Sequence, residues 1–386
     1  MSALETGLGL YLHVPFCAST CDFCAFYQEK PHRKDLDRYL EGMERELRWI
    51  QPNRPVDTVF WGGGTPGLLP PKDLIRLGNV MLEGTGQQPI EWTVEMAPST
   101  VKPDKLKALK DLGVNRISMG VQSFSDRFLE GLGRLHQPSQ IYQAYDWIRE
   151  AEFENVNLDL MMALPGQEKE DLLKDLKEAC RLDPEHLSTY CLTFEEDTAL
   201  WVKLSQGKIK QDAEKDADLY ELTWEYLTSC GYEHYEISNF SKPGHACLHN
   251  VNTWKMKEWI GVGPSAASQY QNNRYSNEAD LTKWLEQVEL AVSERCEVQP
   301  LTDADLLEDS IIFGLRTGQG ISLVELKSRF SNFSWKQLMS FFESLRSEDL
   351  VSIEDEDRIR LSLKGKLLAD RISIKILELT LSKATL

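Results

Sequence analysis

Three cysteines near the N-terminus have types and spacing that suit metal chemistry. Cys17, Cys21 and Cys24 lie in the segment His13-Val-Pro-Phe-Cys-Ala-Ser-Thr-Cys-Asp-Phe-Cys. A structural zinc site usually needs four ligands, and the sequence has no second close cysteine pair to complete one. A [4Fe–4S] cluster normally takes four thiolates, so three would leave one iron open to another ligand. The spacing therefore favours such a cluster over a reduced surface loop or a labile disulfide.

Further candidates end or interrupt short apolar runs. Gly63, Gly64 and Thr65 follow one such run, and glycines let backbone groups approach a ligand closely, although a glycine triplet is also an ordinary turn. A carboxylate within an apolar strand is costly unless it is paired, so a structural ion pair is the alternative for Asp159. The polar candidates in or after later runs are Glu95, Gln122 and Asp159.

Predicted strands and helices alternate over residues 8–195 and place these candidates at strand ends. Pro71 and Pro103 open helices, and Gly113 closes one. Such alternation implies parallel strands joined by right-handed crossovers, and therefore a barrel or partial barrel. Its reactive face is formed by the loops after the strands. The predicted strands are Leu8–Val14, Val56–Trp61, Trp92–Met96, Asn115–Val121, Val156–Met162 and His186–Phe194.

The remainder of the chain is less regular. A helix is predicted near Asp212–Cys230 and a strand at Tyr232–Ser238, followed by a loop over residues 240–268 that is rich in Gly, Pro, His and Asn. From Thr302, three helices and a hairpin resemble a winged helix, which we interpret as an accessory domain that covers or docks. The sequence thus predicts three parts: a barrel over residues 1–235, an extension over 236–298 and an accessory domain over 299–386.

Composition limits the classes of partner. The chain has 43 Lys and Arg against 61 Asp and Glu, a net charge of −18, which argues against nucleic acid as a ligand. No run approaches the roughly 18 apolar residues of a membrane span, and the N-terminus has no signal-peptide pattern. We therefore expect a cytoplasmic protein, whose cysteines stay reduced rather than forming a disulfide framework.

The cysteine spacing, with Phe23 before the last cysteine, resembles the signature of the radical S-adenosylmethionine (SAM) superfamily. The resemblance implies an α/β fold: a partial (β/α)6 TIM-like barrel with the smaller C-terminal α+β, winged-helix-like domain as an accessory. It also implies a [4Fe–4S] cluster on Cys17, Cys21 and Cys24, and SAM on the open iron. An electron from the cluster can then split SAM into methionine and a 5′-deoxyadenosyl radical, chemistry that belongs to the cofactor.

The segments Tyr11-Leu-His-Val-Pro-Phe and Gly-Val-Gln-Ser-Phe are similar to the oxygen-independent coproporphyrinogen III oxidase branch. The sequence alone would make Arg134 a solvated helix residue. The resemblance instead implies that its guanidinium binds the SAM carboxylate through two parallel hydrogen bonds. The other residues assigned to the methionyl end of SAM are Gly63, Gly64, Thr65 and Glu95. Those assigned to the ribose are Gln122 and Asp159, while Tyr11 and Phe23 flank the cluster or simply pack in the core.

Two functions occur within this branch. The oxidases carry the pattern Cys-x-x-x-Cys-x-x-Cys-x-Cys and an extended N-terminal segment. This chain has Phe26 at the position of the fourth cysteine, and its motif begins close to Met1. Both departures favour the sister group, the HemW-type heme chaperones, which carry a His-Asn-x-x-Tyr-Trp signature. It stands here as His249-Asn-Val-Asn-Thr-Trp, with Thr253 in place of the tyrosine.

We expect the His249 loop to present an imidazole nitrogen to heme iron beside the flat apolar surfaces of Trp254 and Trp259. His245 and Cys247 are alternative ligands, and a lone loop histidine is also an ordinary surface residue. The sequence thus predicts a heme chaperone that binds a cluster, SAM and heme. Its partners are heme-accepting apo-proteins and an electron donor, with membrane contact only through a recipient. The alternatives are coproporphyrinogen III dehydrogenase and radical-SAM heme breakdown.

Overall fold

The computed structural model describes residues 7–50, 52–290, 295–355 and 357–379. The expectations about a signal peptide and an N-terminal extension concern residues 1–6, which lie outside these ranges. Within the ranges described, no helix combines the length and apolar character needed to cross a membrane.

Six parallel strands form the centre of one curved sheet. Each neighbouring pair from β1 to β6 is hydrogen-bonded in chain order, and the sheet does not close on itself. This is the predicted partial barrel. The strands are β1 (Leu8–Val14), β2 (Val56–Gly63), β3 (Glu91–Met96), β4 (Arg116–Gln122), β5 (Val156–Met162) and β6 (His186–Cys191).

Helices connect these strands and cover the outer face of the sheet. Proline at the first turn and a left-handed glycine at the end define α3 as predicted, since Gly113 has φ 94°. The helices are α1 (Arg33–Trp49), α2 (Pro71–Thr85), α3 (Pro103–Leu112), α4 (Asp126–Gly131), α5 (Pro138–Glu150) and α6 (Lys169–Leu182). Short 3-10 turns span Pro66–Leu68 and Pro98–Thr100.

The inner face of the sheet is polar. Glu95 is in register with Ser118, and Gly120 is in register with Asp159, which is paired in turn with Ser188. Neighbouring residues in a parallel sheet project to the same side. The lumen is therefore lined by groups that can bind a polar ligand, while the alternate positions form the apolar core under the helices.

Residues 199–300 extend the same sheet at both ends. Strand β9 (Trp259–Val262) pairs in parallel with the free side of β1, and β8 (Asn239–Ser241) pairs antiparallel to β6. The expectation of one long loop over residues 240–268 is wrong, because this segment contains two strands, a helix and the start of a third strand. The elements are α7 (Ala199–Ser205), α8 (Ala213–Ser229), β7 (Glu233–Glu236), β8 (Asn239–Ser241), α9 (Leu248–Trp254), β9 (Trp259–Val262), β10 (Ala267–Tyr270), β11 (Asn273–Ser276), α10 (Leu281–Glu289) and β12 (Cys296–Pro300).

The C-terminal part has the three helices and hairpin that the sequence predicts, plus a two-residue strand and two more helices. Gly318 N–H donates to the Tyr235 carbonyl at 2.8 Å, and Arg316 pairs with Glu236 at 3.3 Å, so this part packs on the β7–β8 hairpin. The elements are α11 (Asp303–Arg316), β13 (Ile321–Ser322), α12 (Leu323–Arg329), α13 (Lys336–Ser347), β14 (Val351–Glu354), β15 (Arg358–Leu361), α14 (Leu363–Leu367) and α15 (Ala369–Glu378). The three-part domain division stays a prediction.

Candidate functional site

The cysteine loop leaves the C-terminal end of β1 and is fixed by its backbone. Cys17 N–H donates to the Glu29 carbonyl at 3.0 Å, and Cys24 N–H donates to the Cys21 carbonyl at 3.2 Å. The thiol of Cys17 lies 3.6 Å from the Thr65 hydroxyl. All three thiols are free and half-buried, and burial raises the pKa of Cys17 and of Cys24.

The donor set at this loop fits an iron–sulfur cluster. Within the described ranges, no three His, Cys, Asp or Glu side chains close around a single metal ion. The three thiols are near enough to affect one another. Cys24 and Cys21 raise the pKa of Cys17, and the Arg134 guanidinium lowers it. Each iron of a cluster takes its own thiolate, so Cys17, Cys21 and Cys24 could hold a cluster without converging on one atom.

The glycine turn after β2 is locked against the cysteine loop. Gly64 N–H donates to the Val14 carbonyl and Thr65 N–H to the Phe16 carbonyl, both at 2.8 Å. Gly63 has φ 100°, and a Cβ at Gly64 would lie 2.7 Å from the Phe16 carbonyl oxygen. Only glycine fits at these two positions without moving backbone, so the turn can bring bare peptide groups close to a ligand.

Two carboxylates, Glu95 and Asp159, belong to the polar inner face of the sheet. Burial and the charge of Asp159 raise the pKa of Glu95 to about 8, against the opposing hydrogen bond from Gly63 N–H. Burial also raises the pKa of Asp159, which accepts hydrogen bonds from Asn157 at 2.8 Å and Ser118 at 3.3 Å. Both retain some exposed surface, as residues that line an open lumen should. Asp159 has neutral hydrogen-bond donors rather than the ion pair that was its structural alternative.

Arg134 and Gln122 lie together at the end of β4. The Arg134 guanidinium is 5.9 Å from the centre of the Phe23 ring, and its Nε is buried without a hydrogen-bond partner. A Cβ at Gly120 would lie 3.0 Å from Arg134 Nη2, so this glycine makes room for the guanidinium. An unpartnered buried donor is costly. A ligand carboxylate would satisfy it, which is the fit that the SAM assignment requires.

Tyr11 lies in the lumen between two rings. Its hydroxyl is 3.2 Å from His13 Nδ1, and its ring stacks on Phe60 with centroids 6.3 Å apart. Burial lowers the pKa of His13 to about 4, so that imidazole is neutral at physiological pH. Tyr11 and His13 therefore belong to the wall below the glycine turn, where a Cβ at Gly63 would meet the His13 ring.

The structure does not bring His249 to the cysteine loop. His249 lies in α9 and is only 7% exposed, with its Nδ1 2.9 Å from the Thr58 hydroxyl. Glu91 accepts hydrogen bonds from Leu248 N–H and His249 N–H, both at 2.8 Å, which fastens the helix to the N-terminal ends of β2 and β3. The expectation of an exposed loop that presents this imidazole is therefore wrong. Burial and Arg116 lower its pKa to about 4.

Sequence reasoning missed several lumen residues. Tyr190 is the next-to-last residue of β6, and burial together with the charges of Asp159 and Glu95 raises the pKa of its phenol. Arg116 is the first residue of β4 and is buried at the opposite end of the sheet from the cysteine loop. The nearby Cys247 and Glu91 favour its charged form. Their only sequence signal was a polar residue at the edge of an apolar run, which many surface strands share.

Known proteins match this chain over most of its length. Residues 11–179 match the radical SAM superfamily. The chain is 30% identical to the heme chaperone HemW of Lactococcus lactis subsp. lactis, over 95% of this chain and 96% of that protein. This chain belongs to the HemW family of the radical SAM superfamily. Membership of that superfamily implies a [4Fe–4S] cluster and SAM.

Other HemW relatives agree with this assignment, and one solved structure of an oxidase has the same fold. Identity is 31% to heme chaperone HemW of Bacillus subtilis, over 94% of this chain and 97% of that protein. It is 38% to heme chaperone HemW of Escherichia coli, over 67% and 69%. The coproporphyrinogen III oxidase HemN of Escherichia coli superposes with a TM-score of 0.84 at 25% identity, covering 97% of this chain and 90% of that one.

Proposed function

We propose that this protein is a heme chaperone that carries a [4Fe–4S] cluster and SAM and delivers heme to apo-proteins. The observation that carries the proposal is the end-to-end match to heme chaperones, which covers 95% of this chain and 96% of a relative. Because the match spans barrel, extension and accessory part alike, it is not a likeness of the cofactor site alone. An electron donor for the cluster completes the proposed set of partners.

Different site residues would bind the methionyl end and the ribose of SAM. A bound cluster would supply one-electron reducing power, with Cys17, Cys21 and Cys24 as its thiolate ligands. Arg134 would take the methionyl carboxylate as a fork, because its Nε has no partner in the protein. The methionyl amino group would be held by Glu95 and the backbone of the Gly63–Thr65 turn, and the ribose hydroxyls by Gln122 and Asp159. Phe23 would shield this region from water.

Phe26 favours a carrier over a decarboxylase. It stands at the position where the oxidase pattern has a fourth cysteine. Its side chain is 70% exposed beside the thiol loop. An exposed aromatic ring offers apolar contact to a flat ligand or a protein partner, whereas it can neither ligate iron nor transfer a proton. The chain therefore has the residues for binding SAM at this loop without the extra thiol.

Heme ligation by His249 requires α9 to leave its buried position, and we propose that it does so on heme binding. The test is an anaerobic heme titration followed by the Soret band. His249→Ala should weaken binding about tenfold or more, through loss of the axial ligand. Thr58→Val removes the hydrogen bond that holds the imidazole inside, so it should strengthen binding about fivefold. Unchanged affinity in both variants would reassign the ligand to His245 or Cys247.

Coproporphyrinogen III oxidation is the second candidate, favoured by the superposition on the HemN oxidase. It is tested by incubating the reconstituted protein anaerobically with SAM, reductant and coproporphyrinogen III, and assaying protoporphyrinogen. We expect none, with a cluster and SAM binding verified in the same sample. Multiple turnovers would replace the chaperone proposal with the oxidase.

A further inference from the structure

We propose that the Lys203–Asp22 ion pair positions the Cys21–Cys24 turn and balances charge beside the cluster. Asp22 lies between two of the proposed cluster ligands, and Lys203 belongs to α7, a helix that the SAM assignments do not use. The inference rests on the proposed cluster site but is independent of heme binding. Asp22 and Lys203 are positioning residues here, since neither is proposed to ligate iron.

Asp22 connects three segments of the chain. Its N–H donates to the Leu132 carbonyl at 2.9 Å, and its own carbonyl accepts from Leu200 N–H at 2.9 Å. Its carboxylate accepts from Lys203 Nζ at 2.6 Å. A Cβ at Gly133 would lie 2.8 Å from Asp22 Oδ1, so the chain next to Arg134 passes close by without a side chain. The cysteine turn is thus held between the end of α4 and α7.

α7 is held in place independently of the ion pair. Leu200 belongs to a small apolar cluster that is separate from the main core, and Phe23 packs against it. The other buried members of the cluster are Phe128, Leu132, Met161, Leu164 and Leu192. The helix therefore presents Lys203 from a fixed base, and loss of the ion pair should alter charge and local order without unfolding the protein.

The charge of Lys203 matters because it is paired with a carboxylate beside the proposed cluster. The side chains of Lys203 and Asp22 are 43% and 28% exposed, so their interaction is only partly screened by water. A cluster held by three thiolates would stay net negative once the charge of its irons is counted, and Asp22 would add one more negative charge at the same turn. The reduction potential of an iron–sulfur cluster depends on nearby charge. A cation at Lys203 should favour electron entry, and an unpaired Asp22 should oppose it.

The decisive experiment compares reduction potentials in anaerobically reconstituted protein, by redox titration monitored by EPR. Lys203→Met leaves Asp22 unpaired and should shift the potential downwards. Asp22→Asn leaves the cation in place and should shift it upwards, while the double variant should return close to the wild-type value. Loss of structure alone would move both single variants in the same direction. Shifts of the same sign, or no shift in either, would overturn the proposal.

A second readout tests positioning in the cluster-free protein. With each rate divided by the thiolate fraction taken from its pH profile, N-ethylmaleimide should alkylate Cys21 and Cys24 roughly two- to fivefold faster in Lys203→Met, the range expected for loss of a partly exposed ion pair. Lys203→Arg should restore the wild-type rate. Lys169→Met, which breaks the exposed 2.8 Å pair of Lys169 with Asp218, is the matched control and should have no effect. Equal rates in Lys203→Met and this control would contradict the positioning role.

Discussion

Glu95 gives the most quantitative prediction about SAM binding. Burial and Asp159 raise its pKa to about 8, so about nine-tenths of the ligand-free protein carries a neutral Glu95 at pH 7. If the ionised carboxylate holds the amino group of SAM, binding must release that proton. The fraction ionised rises from about one-tenth at pH 7 to about nine-tenths at pH 9, which predicts a roughly tenfold gain in affinity from this group alone.

Glu95→Gln isolates this effect from the titration of SAM itself. The amino group of SAM ionises in the same range, but it does so equally in both proteins, so the ratio of their dissociation constants reports Glu95. We expect the variant to bind less tightly, with a deficit that grows about tenfold between pH 7 and pH 9. Calorimetry in buffers of different ionisation enthalpy should find nearly one more proton released by the wild type at pH 7.

A ratio that is constant with pH would refute this account of Glu95. The same conclusion would follow from equal proton release in the wild type and the variant. Asp159→Asn is an informative companion, because removal of the neighbouring charge should lower the pKa of Glu95. The steep part of the affinity profile should then move to lower pH.

Three further outcomes follow from the described contacts. Cys17→Ala, Cys21→Ala and Cys24→Ala should each lose the iron–sulfur absorption of the reconstituted protein, and four irons per chain in all three would contradict the cluster assignment. Gly64→Ala places a Cβ 2.7 Å from a backbone carbonyl and should cost about 1–3 kcal/mol of unfolding free energy, measured by denaturant titration, with weaker SAM binding. Burial raises the pKa of Asp175 from 3.8 to about 6, so its ionisation destabilises the folded state as pH rises through that range. The wild type should therefore gain about 2 kcal/mol relative to Asp175→Asn between pH 7 and pH 4, and parallel unfolding curves would exclude this.

The sequence predicts the central elements closely because their signals are local. β1 and β5 begin and end where the apolar runs do, and α3 spans the interval between its proline and its glycine. The cysteine loop is equally local, since all three thiols belong to one turn after β1. Such features need no knowledge of what the rest of the chain contacts.

The site features that local sequence patterns do not reveal depend on distant contacts. The segment around His249 is rich in residues typical of loops, yet it forms a helix whose first N–H groups are accepted by Glu91, more than 150 residues earlier. Arg134 has the local pattern of a solvated residue, but Gly120 and Phe23 make room for its guanidinium inside the site. Neither contact leaves a trace in the spacing of nearby residues.

The most direct test of the chaperone proposal is the transfer of heme from the loaded protein to an apo-cytochrome b, followed by rapid mixing at the Soret wavelength. A carrier that hands heme over by direct contact should transfer it at a rate that rises with acceptor concentration. If the protein binds no stoichiometric heme, or if the rate stays at that of spontaneous heme release whatever the acceptor concentration, the proposal is contradicted.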